Sequence, residues 1–368
     1  MQFAQIQTIP EVVNLLKVLL TGLLGFVFAF LITPLWTHIL YKYKIGIKIK
    51  SNDVSGEKLT FVSQLHAHKA GTPTMGGVIM WFSVLVLAFA SHFVFPWLAK
   101  LANINFVARL DFLSRKEVWL PLFALATAGV LGLFDDVMSV RGWGKNKGGG
   151  IKFAMRFGWL IAIAAAGGWW FYYKLGWDVL HIPAAGDFNI GLWYIPLFIF
   201  MILFTAISSN ETDGLDGLNG GVLLVAFFSF AIISFFQNKV DLAAFCSAMS
   251  GVLLVFLWFN ISPARFMMGD TGAIALGTTL GVVAMLTNSA LVLFLIVFVY
   301  LLESGSVIIQ LTSKKFFHRK VFLAAPLHHH FEALGWPECK IVMRAWIFTM
   351  VTAMVGVIIT IFGMGRHP

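Results

Sequence analysis

Two long apolar runs, ending at Ile207 and resuming at Val222, are joined by Ser208-Ser209-Asn210-Glu211-Thr212-Asp213-Gly214-Leu215-Asp216-Gly217-Leu218-Asn219-Gly220-Gly221. Carboxylates and amides crowded at the edge of an apolar chain are costly to desolvate, and they mark places that handle ions or polar substrates. Asn210, Asp213 and Asp216 recur every three residues, a spacing that puts them roughly on one face of a helix. Such a face suits a divalent cation, or the amides and hydroxyls of a nucleotide sugar.

Four further polar motifs interrupt the apolar sequence. Leu133-Phe134-Asp135-Asp136 pairs two carboxylates; neighbouring carboxylates repel, and Mg²⁺ or a shared proton relieves them, although a solvated helix end explains the pair equally well. Lys69-Ala70-Gly71-Thr72-Pro73-Thr74-Met75-Gly76-Gly77 offers Lys69 as a phosphate clamp or a membrane-surface anchor, with Thr74 among the candidate substrate-binding residues. Its glycines, like those at 217–221, allow close backbone approach to phosphate or simply punctuate helices. In Asn260-Ile261-Ser262-Pro263-Ala264-Arg265-Phe266-Met267-Met268-Gly269-Asp270-Thr271-Gly272, the last four residues read as a helix N-cap or as an anion site at a helix start. Ala325-Pro326-Leu327-His328-His329-His330-Phe331-Glu332 invites a zinc reading. Three successive side chains diverge on helix or strand, however, so contacts to substrate or phosphate are the better expectation. Glu303 sits inside an apolar run, and the sequence gives it no role.

The elements that must position these groups are membrane spans. With 59% hydrophobic and 12% charged residues, 368 residues and a mean hydropathy of +0.86, the chain is not a soluble globule. Apolar runs of about 20 residues suit helices crossing a bilayer of about 30 Å. They predict an all-α polytopic membrane protein with ten spans, near 15–40, 75–98, 119–138, 153–173, 191–208, 221–237, 241–259, 272–289, 290–311 and 344–363. The connections on one side, 42–69, 141–156, 208–220, the Arg265 loop and 314–344, carry six, five, none, one and six Lys or Arg, leaving eight of the 26 for the other side. The positive-inside rule then makes that first side cytoplasmic and puts both termini outside. All five motifs fall on the cytoplasmic side, in connections near 41–74, 139–152, 208–220, 260–271 and 312–343 of a single domain. Cys246 and Cys339 show no metal or redox spacing. The net charge of +9 fits anionic lipid or a phosphorylated substrate, and without a compact basic domain no nucleic-acid binding is expected. A secondary transporter would gather its polar groups near the midplane of repeated halves, and no internal repeat is visible.

These residues resemble a known family. Asp135-Asp136, the N-x-x-D-G-L-D-G-L core at 210–218 and N-x-x-P-A…M-G-D-T-G at 260–272 are similar to motifs of the polyprenyl-phosphate N-acetylhexosamine-1-phosphate transferases. The motifs at 69–77 and 326–332 narrow this to the branch that acts on a muramoyl-pentapeptide, rather than on UDP-N-acetylglucosamine. The resemblance implies ten transmembrane helices in a bacterial inner membrane, both termini periplasmic, Mg²⁺ dependence, a homodimer and an active site facing the cytoplasm. The implied substrates are undecaprenyl phosphate, a membrane lipid, and UDP-N-acetylmuramoyl-pentapeptide. Two positions depart from the family pattern: Ser139 stands where a lysine is common, with Arg141, Lys145, Lys147 and Lys152 nearby, and Met267 stands where a phenylalanine is common. On this reading Asp270 is the main Mg²⁺ ligand with Asp216 assisting, while Asp135 orients or deprotonates the lipid phosphate and Asp136 holds metal or a basic partner. Lys69 and the basic stretch at 141–152 bind phosphate. Asn210, Asp213 and Asn260 recognise uridine and sugar, and His328, His329 and His330 meet the diphosphate or the muramoyl group.

Overall fold

Every predicted span coincides with helix. The computed structural model describes residues 10–43, 45–46, 69, 71–114, 116–143 and 150–364. Apart from a single helical turn at Asn105–Ala108, the α-helices in chain order are α1 (Pro10–Lys42), α2 (Gly77–Ala102, with a π-turn at Ala90–Val94), α3 (Trp119–Arg141), α4 (Phe153–Leu175), α5 (Tyr194–Thr212) and α6 (Leu218–Phe236). There follow α7 (Val240–Asn260), α8 (Asp270–Leu286), α9 (Ala290–Ile296), α10 (Phe298–Phe317), α11 (Leu327–Ala333) and α12 (Glu338–Met364). Much of the connection expected at 41–74, and Lys145 and Lys147, lie outside the described residues.

Two expectations need correction. Among the described residues, seven helices are long and apolar enough to cross a membrane, or eight if α9 and α10 form one span, so the chain is polytopic. α4 and the 17-residue α8 fall outside that group. The predicted span 290–311 is not straight, because α9 and α10 meet at an angle of 86°. The bend falls at Val297, whose backbone (φ −109°, ψ 42°) is not helical. Nor is the chain all helical: β1 (Val179–Ile182) and β2 (Gly186–Asn189) form an antiparallel hairpin pairing Val179 with Asn189 and Ile182 with Gly186.

α8 is the post around which the bundle is built. Every residue from Thr271 to Leu286 is buried, and α2, α3, α5 and α6 pack round it. Small residues permit that closeness. A Cβ on Gly132 of α3 would stand 2.4 Å from the Asp270 carbonyl oxygen, so α3 reaches the first turn of α8 only with glycine there. α7 packs lengthwise on α1 in the same manner, by small residues that let backbones meet where lipid supplies no hydrophobic drive.

At the end of the bundle opposite Asp270, a buried ion pair ties α1 to α7. Lys17 Nζ donates to Asp241 Oδ1 at 2.6 Å and to the Asp111 carbonyl oxygen at 2.5 Å, and Ser114 Oγ donates to Asp241 Oδ2 at 2.5 Å. Removing one partner strands the other charge, so Lys17→Met alone should cost roughly 3–5 kcal/mol, and replacing the pair with apolar residues should recover most of that loss. Thermal midpoints of Lys17→Met, Asp241→Leu and the double variant in detergent check this; additive losses would show that the two side chains act independently.

Candidate active site

The site is assembled where α3 ends, α8 begins and the loop after α5 turns back. Asp136, in the last turns of α3, is 7% exposed. Its Oδ1 accepts the Asp270 N–H at 3.1 Å and its Oδ2 the Thr271 N–H at 3.0 Å. The first amides of a helix lack intrahelical acceptors and carry the positive end of its dipole. The N-cap residue is Gly269, which has no side chain to cap with, so a carboxylate from α3 caps α8 instead. Gly269 is at φ +77°, and a Cβ there would meet Asp136 Oδ2 at 2.6 Å and Thr74 Oγ1 at 2.8 Å.

With Asp136 so occupied, Asp135 serves a different surface. Its Oδ1 accepts the Ile151 N–H at 2.6 Å, and its Oδ2 lies 3.2 Å from Arg156 Nη1. The same Arg156 nitrogen donates to Asp270 Oδ2 at 2.7 Å, while Asn210 Nδ2 donates to Asp270 Oδ1 at 2.6 Å. Asp270 thus stands on the first residue of α8 between an amide and a guanidinium, with its side chain 26% exposed.

The three-residue spacing from 210 to 216 is not a helical face. Asn210 belongs to α5, but the chain leaves the helix at Asp213 (φ −78°, ψ 55°). The Asp213 carboxylate accepts the Gly269 N–H, and desolvation, then the charge on Asp270, pushes its pKa up to about 7; Asp216 adds to the rise, and Lys69 opposes it. Asp216 is pinned: Lys69 Nζ donates to its Oδ1 at 2.7 Å and the Ala264 N–H to its Oδ2 at 3.0 Å. Lys69 also donates to Glu338 Oε1 at 2.6 Å, and that oxygen accepts the Asp216 N–H at 2.5 Å. Asp216, expected to assist a metal, has both oxygens engaged and its side chain 3% exposed. Asn260 is likewise used up inside the loops, accepting the Gly217 N–H at 2.9 Å and donating to the Phe266 carbonyl at 2.8 Å. Buried Thr74 lies beside Gly269. The motif at 69–77 is zipped onto the next loop by Met267 N–H to Pro73 O (2.8 Å), Gly76 N–H to Met267 O (2.9 Å) and Gly77 N–H to Met268 O (2.8 Å).

The three histidines diverge, as the sequence requires. His328 is buried, with its Nδ1 3.0 Å from Glu303 Oε2, and Nε2 faces Gly214 without a hydrogen-bond partner among the described residues. Burial would lower the His328 pKa, but the Glu303 carboxylate, with Glu332 and Glu338 near, outweighs it and moves it upward. His329 Nδ1 is 2.7 Å from Glu332 Oε2. His330 turns to another segment, accepting the Leu323 N–H and packing against Phe322.

Arg156, Glu338 and Glu303 are site residues to which the sequence reading gave no role. Arg156 left one trace: it is a cation in the first turn of an apolar helix, where the helix dipole disfavours it. Of the basic residues considered beside Ser139, Arg141 lies against Trp143 and Lys152 is exposed.

No group of three or more His, Cys, Asp or Glu side chains among the described residues is placed to complete a metal site alone. The donor set nevertheless suits a hard cation. Carboxylates of Asp135, Asp136, Asp213 and Asp270 repel one another across this end of the bundle. A divalent ion drawing its remaining oxygens from a phosphorylated ligand would relieve that repulsion.

A model of Glycosyl transferase family 4 matches residues 118–288, and one of Phospho-N-acetylmuramoyl-pentapeptide-transferase signature 1 matches residues 69–79. Several curated relatives carry the name phospho-N-acetylmuramoyl-pentapeptide-transferase. That of Chloroflexus aurantiacus is 33% identical over 364 residues, covering 95% of this chain and 91% of the relative. That of Clostridium beijerinckii is 34% identical over 354 residues, 95% and 98% of the two chains. That of Bartonella quintana is 37% identical over 311 residues, 80% and 81%.

Two measurements follow from the charges. Asp213 binds its proton more tightly folded than unfolded, so without divalent cation its share of stability is full below about pH 4 and is lost as pH rises through about 7. Thermal midpoints in EDTA should therefore fall less across that window in Asp213→Asn than in the parent; identical slopes would refute the shift. Because one Arg156 nitrogen meets both carboxylates, Arg156→Lys should keep most of the stability that Arg156→Gln loses, about 1–3 kcal/mol for an unpaired buried charge. Equal losses in the two variants would mean the guanidinium plane, not its charge, is what matters.

Proposed function

The chain belongs to the phospho-N-acetylmuramoyl-pentapeptide-transferase family, and on that premise we propose that it transfers phospho-N-acetylmuramoyl-pentapeptide from UDP to undecaprenyl phosphate, giving lipid I and UMP in peptidoglycan synthesis. The observation that carries this is the convergence of Asp135, Asp213 and Asp270 with Asn210 and Arg156 at one end of an apolar bundle, Lys69 standing just beyond on Asp216. A water-soluble nucleotide and a membrane-held phosphate can meet only at such a boundary.

An oxygen of the lipid phosphate bonds to the β-phosphorus of the UDP-sugar, and the diphosphate bond breaks with its electron pair leaving on UMP. Both reactants are anionic, so the chain's task is to hold phosphates together and in line. Arg156 and Lys69 supply positive charge on either side of the Asp270–Asp213 pair. Asp135, fixed between Ile151 and Arg156, orients the incoming phosphate. The second phosphate pKa is near 6, so that phosphate is mostly dianionic at neutral pH and needs little help from a base. Mg²⁺, when bound, would neutralise phosphate charge and stabilise the departing UMP. Asp270, the accessible carboxylate, and Asp213 would hold it. Asp216 then acts on Lys69 rather than on metal, and Asp136 acts through the capped end of α8. Asn210 sits where uridine or sugar would be read, and His328 supports the Gly214 turn beside it.

The finer topology belongs to the same reading: ten crossings, both termini outside, and the site on the cytoplasmic side of the inner membrane. It is supported by the ten predicted spans, each coincident with helix, and by the one-sided distribution of Lys and Arg. A homodimer is implied by the family resemblance.

Purified protein given Mg²⁺, undecaprenyl phosphate and UDP-N-acetylmuramoyl-pentapeptide should release UMP, and EDTA should stop it. UDP-N-acetylglucosamine in its place should give no product; equal turnover would assign the chain to the other branch of the superfamily. Asp270→Asn should lower turnover by about a hundredfold or more, the scale of losing a metal-site contact, with the thermal midpoint retained. Full activity in that variant would remove Asp270 from the cation site.

A further inference from the structure

Beside the acidic cluster, α12 opens with a basic surface mounted on the loop that carries Asp213 and Asp216. Leu215 and Leu218, on either side of Asp216, are buried against Ile341 and Val342 of α12, with Phe331, Trp336 and Trp346 packed around them. Glu338 adds a polar tie, its Oε1 accepting from Lys69 Nζ and from the Asp216 N–H. Trp346 Nε1 donates to the Gly217 carbonyl at 3.0 Å. The start of α12 is thereby fixed to the loop.

Trp336 is the centre of this surface. Its ring stacks on Phe331, with centres 4.9 Å apart and planes 25° from parallel. Two cations lean on it: Lys340 Nζ stands 4.3 Å from the ring centre and the Arg344 guanidinium 4.6 Å. They are one helical turn apart, and both are exposed. Lys69 and Arg156 are each answered by two carboxylates. Lys340 and Arg344 have none within ion-pair distance among the described residues. Like charges held on one indole repel, and an anion placed between them would relieve that repulsion while the ring keeps both heads in place.

We propose that Lys340 and Arg344 bind the C-terminal carboxylate of the substrate's peptide, with Trp336 as an apolar bed for its last residues, a placement that rests on the transferase reading above. The peptide is joined to the muramoyl group through its N-terminus, so this carboxylate is the free charge at the end remote from the diphosphate. A guanidinium matches a carboxylate with two parallel hydrogen bonds, and a lysine adds a point charge. The reach fits as well. His328 packs on Gly214, next to Asp213; Phe331 is three residues further along α11, roughly 4.5 Å, and Trp336 is one ring stack beyond. Five extended residues span up to about 17 Å. A role at the membrane surface alone would not require the two cations to be carried on the loop of Asp213 and Asp216.

Titration calorimetry of the full chain in neutral detergent with Mg²⁺ tests this, comparing UDP-N-acetylmuramoyl-pentapeptide with the same molecule ending in a carboxamide. The parent should bind the carboxylate form on the order of tenfold tighter, the worth of a hydrogen-bonded charge. The double variant Lys340→Gln, Arg344→Gln should bind both forms alike, whereas Arg319→Gln, which removes an exposed cation elsewhere, should keep the full preference. Equal binding of the two forms by the parent would overturn the placement and leave the transferase reading intact. So would a preference that survives in the double variant or disappears in Arg319→Gln. Binding of neither form by the parent would overturn both.

Discussion

The Asp136 carboxylate on the first amides of α8 is the interaction from which the rest of the site is built. Two residues 134 positions apart in the chain are joined by it at 3.1 Å, and a helix start that has no cap of its own acquires one. Once Asp136 is committed to α8, its neighbour must project elsewhere, and Asp135 is delivered to Arg156 and Asp270. The two adjacent carboxylates therefore divide their work. Substitution of either one would report on a different property of the molecule, so equal losses of activity at the two positions would not mean equal roles.

Around that joint the charges are deliberately uneven. Lys69, Asp216 and Glu338 form a compact set in which every charge has an opposite neighbour. On the Asp270 side, Arg156 answers Asp135 and Asp270 together while Asp213 is left holding a proton near neutrality. Each set holds one cation against two carboxylates, and the second has the acid Asp213 beside it. His328 and Glu303 repeat the logic at the rim: a buried acid that had no evident purpose in the sequence fixes an imidazole beneath the Gly214 turn.

The helices were legible because membrane spans are written in composition, and the polar motifs stood out against it. That those motifs gather at one end of the bundle was legible for the same reason. What escaped depended on contacts between distant residues or on unmarked backbone changes. The break between α9 and α10 occurs at Val297, in an unbroken apolar run without glycine or proline to announce it. The hairpin is built from strands of four residues each, too short to carry an alternating pattern. Asp216 looked like a ligand because its partner Lys69 is 147 residues away. Arg156 was hidden among the basic residues of its stretch, although its place in the first turn of an apolar helix set it apart.

The brevity and complete enclosure of α8 have a mechanical consequence. At about 1.5 Å per residue, its 17 residues reach only about 26 Å, less than the hydrocarbon thickness. Since other helices wrap it throughout, its ends never meet the acyl chains. Strain from a thicker or thinner bilayer falls instead on outer helices such as α1 and α12, whose most apolar stretches are only 28% and 22% buried. Those can tilt while the innermost helix keeps its height. The acidic groups gathered at its first turn are thus suspended on an element that the surrounding lipid cannot pull.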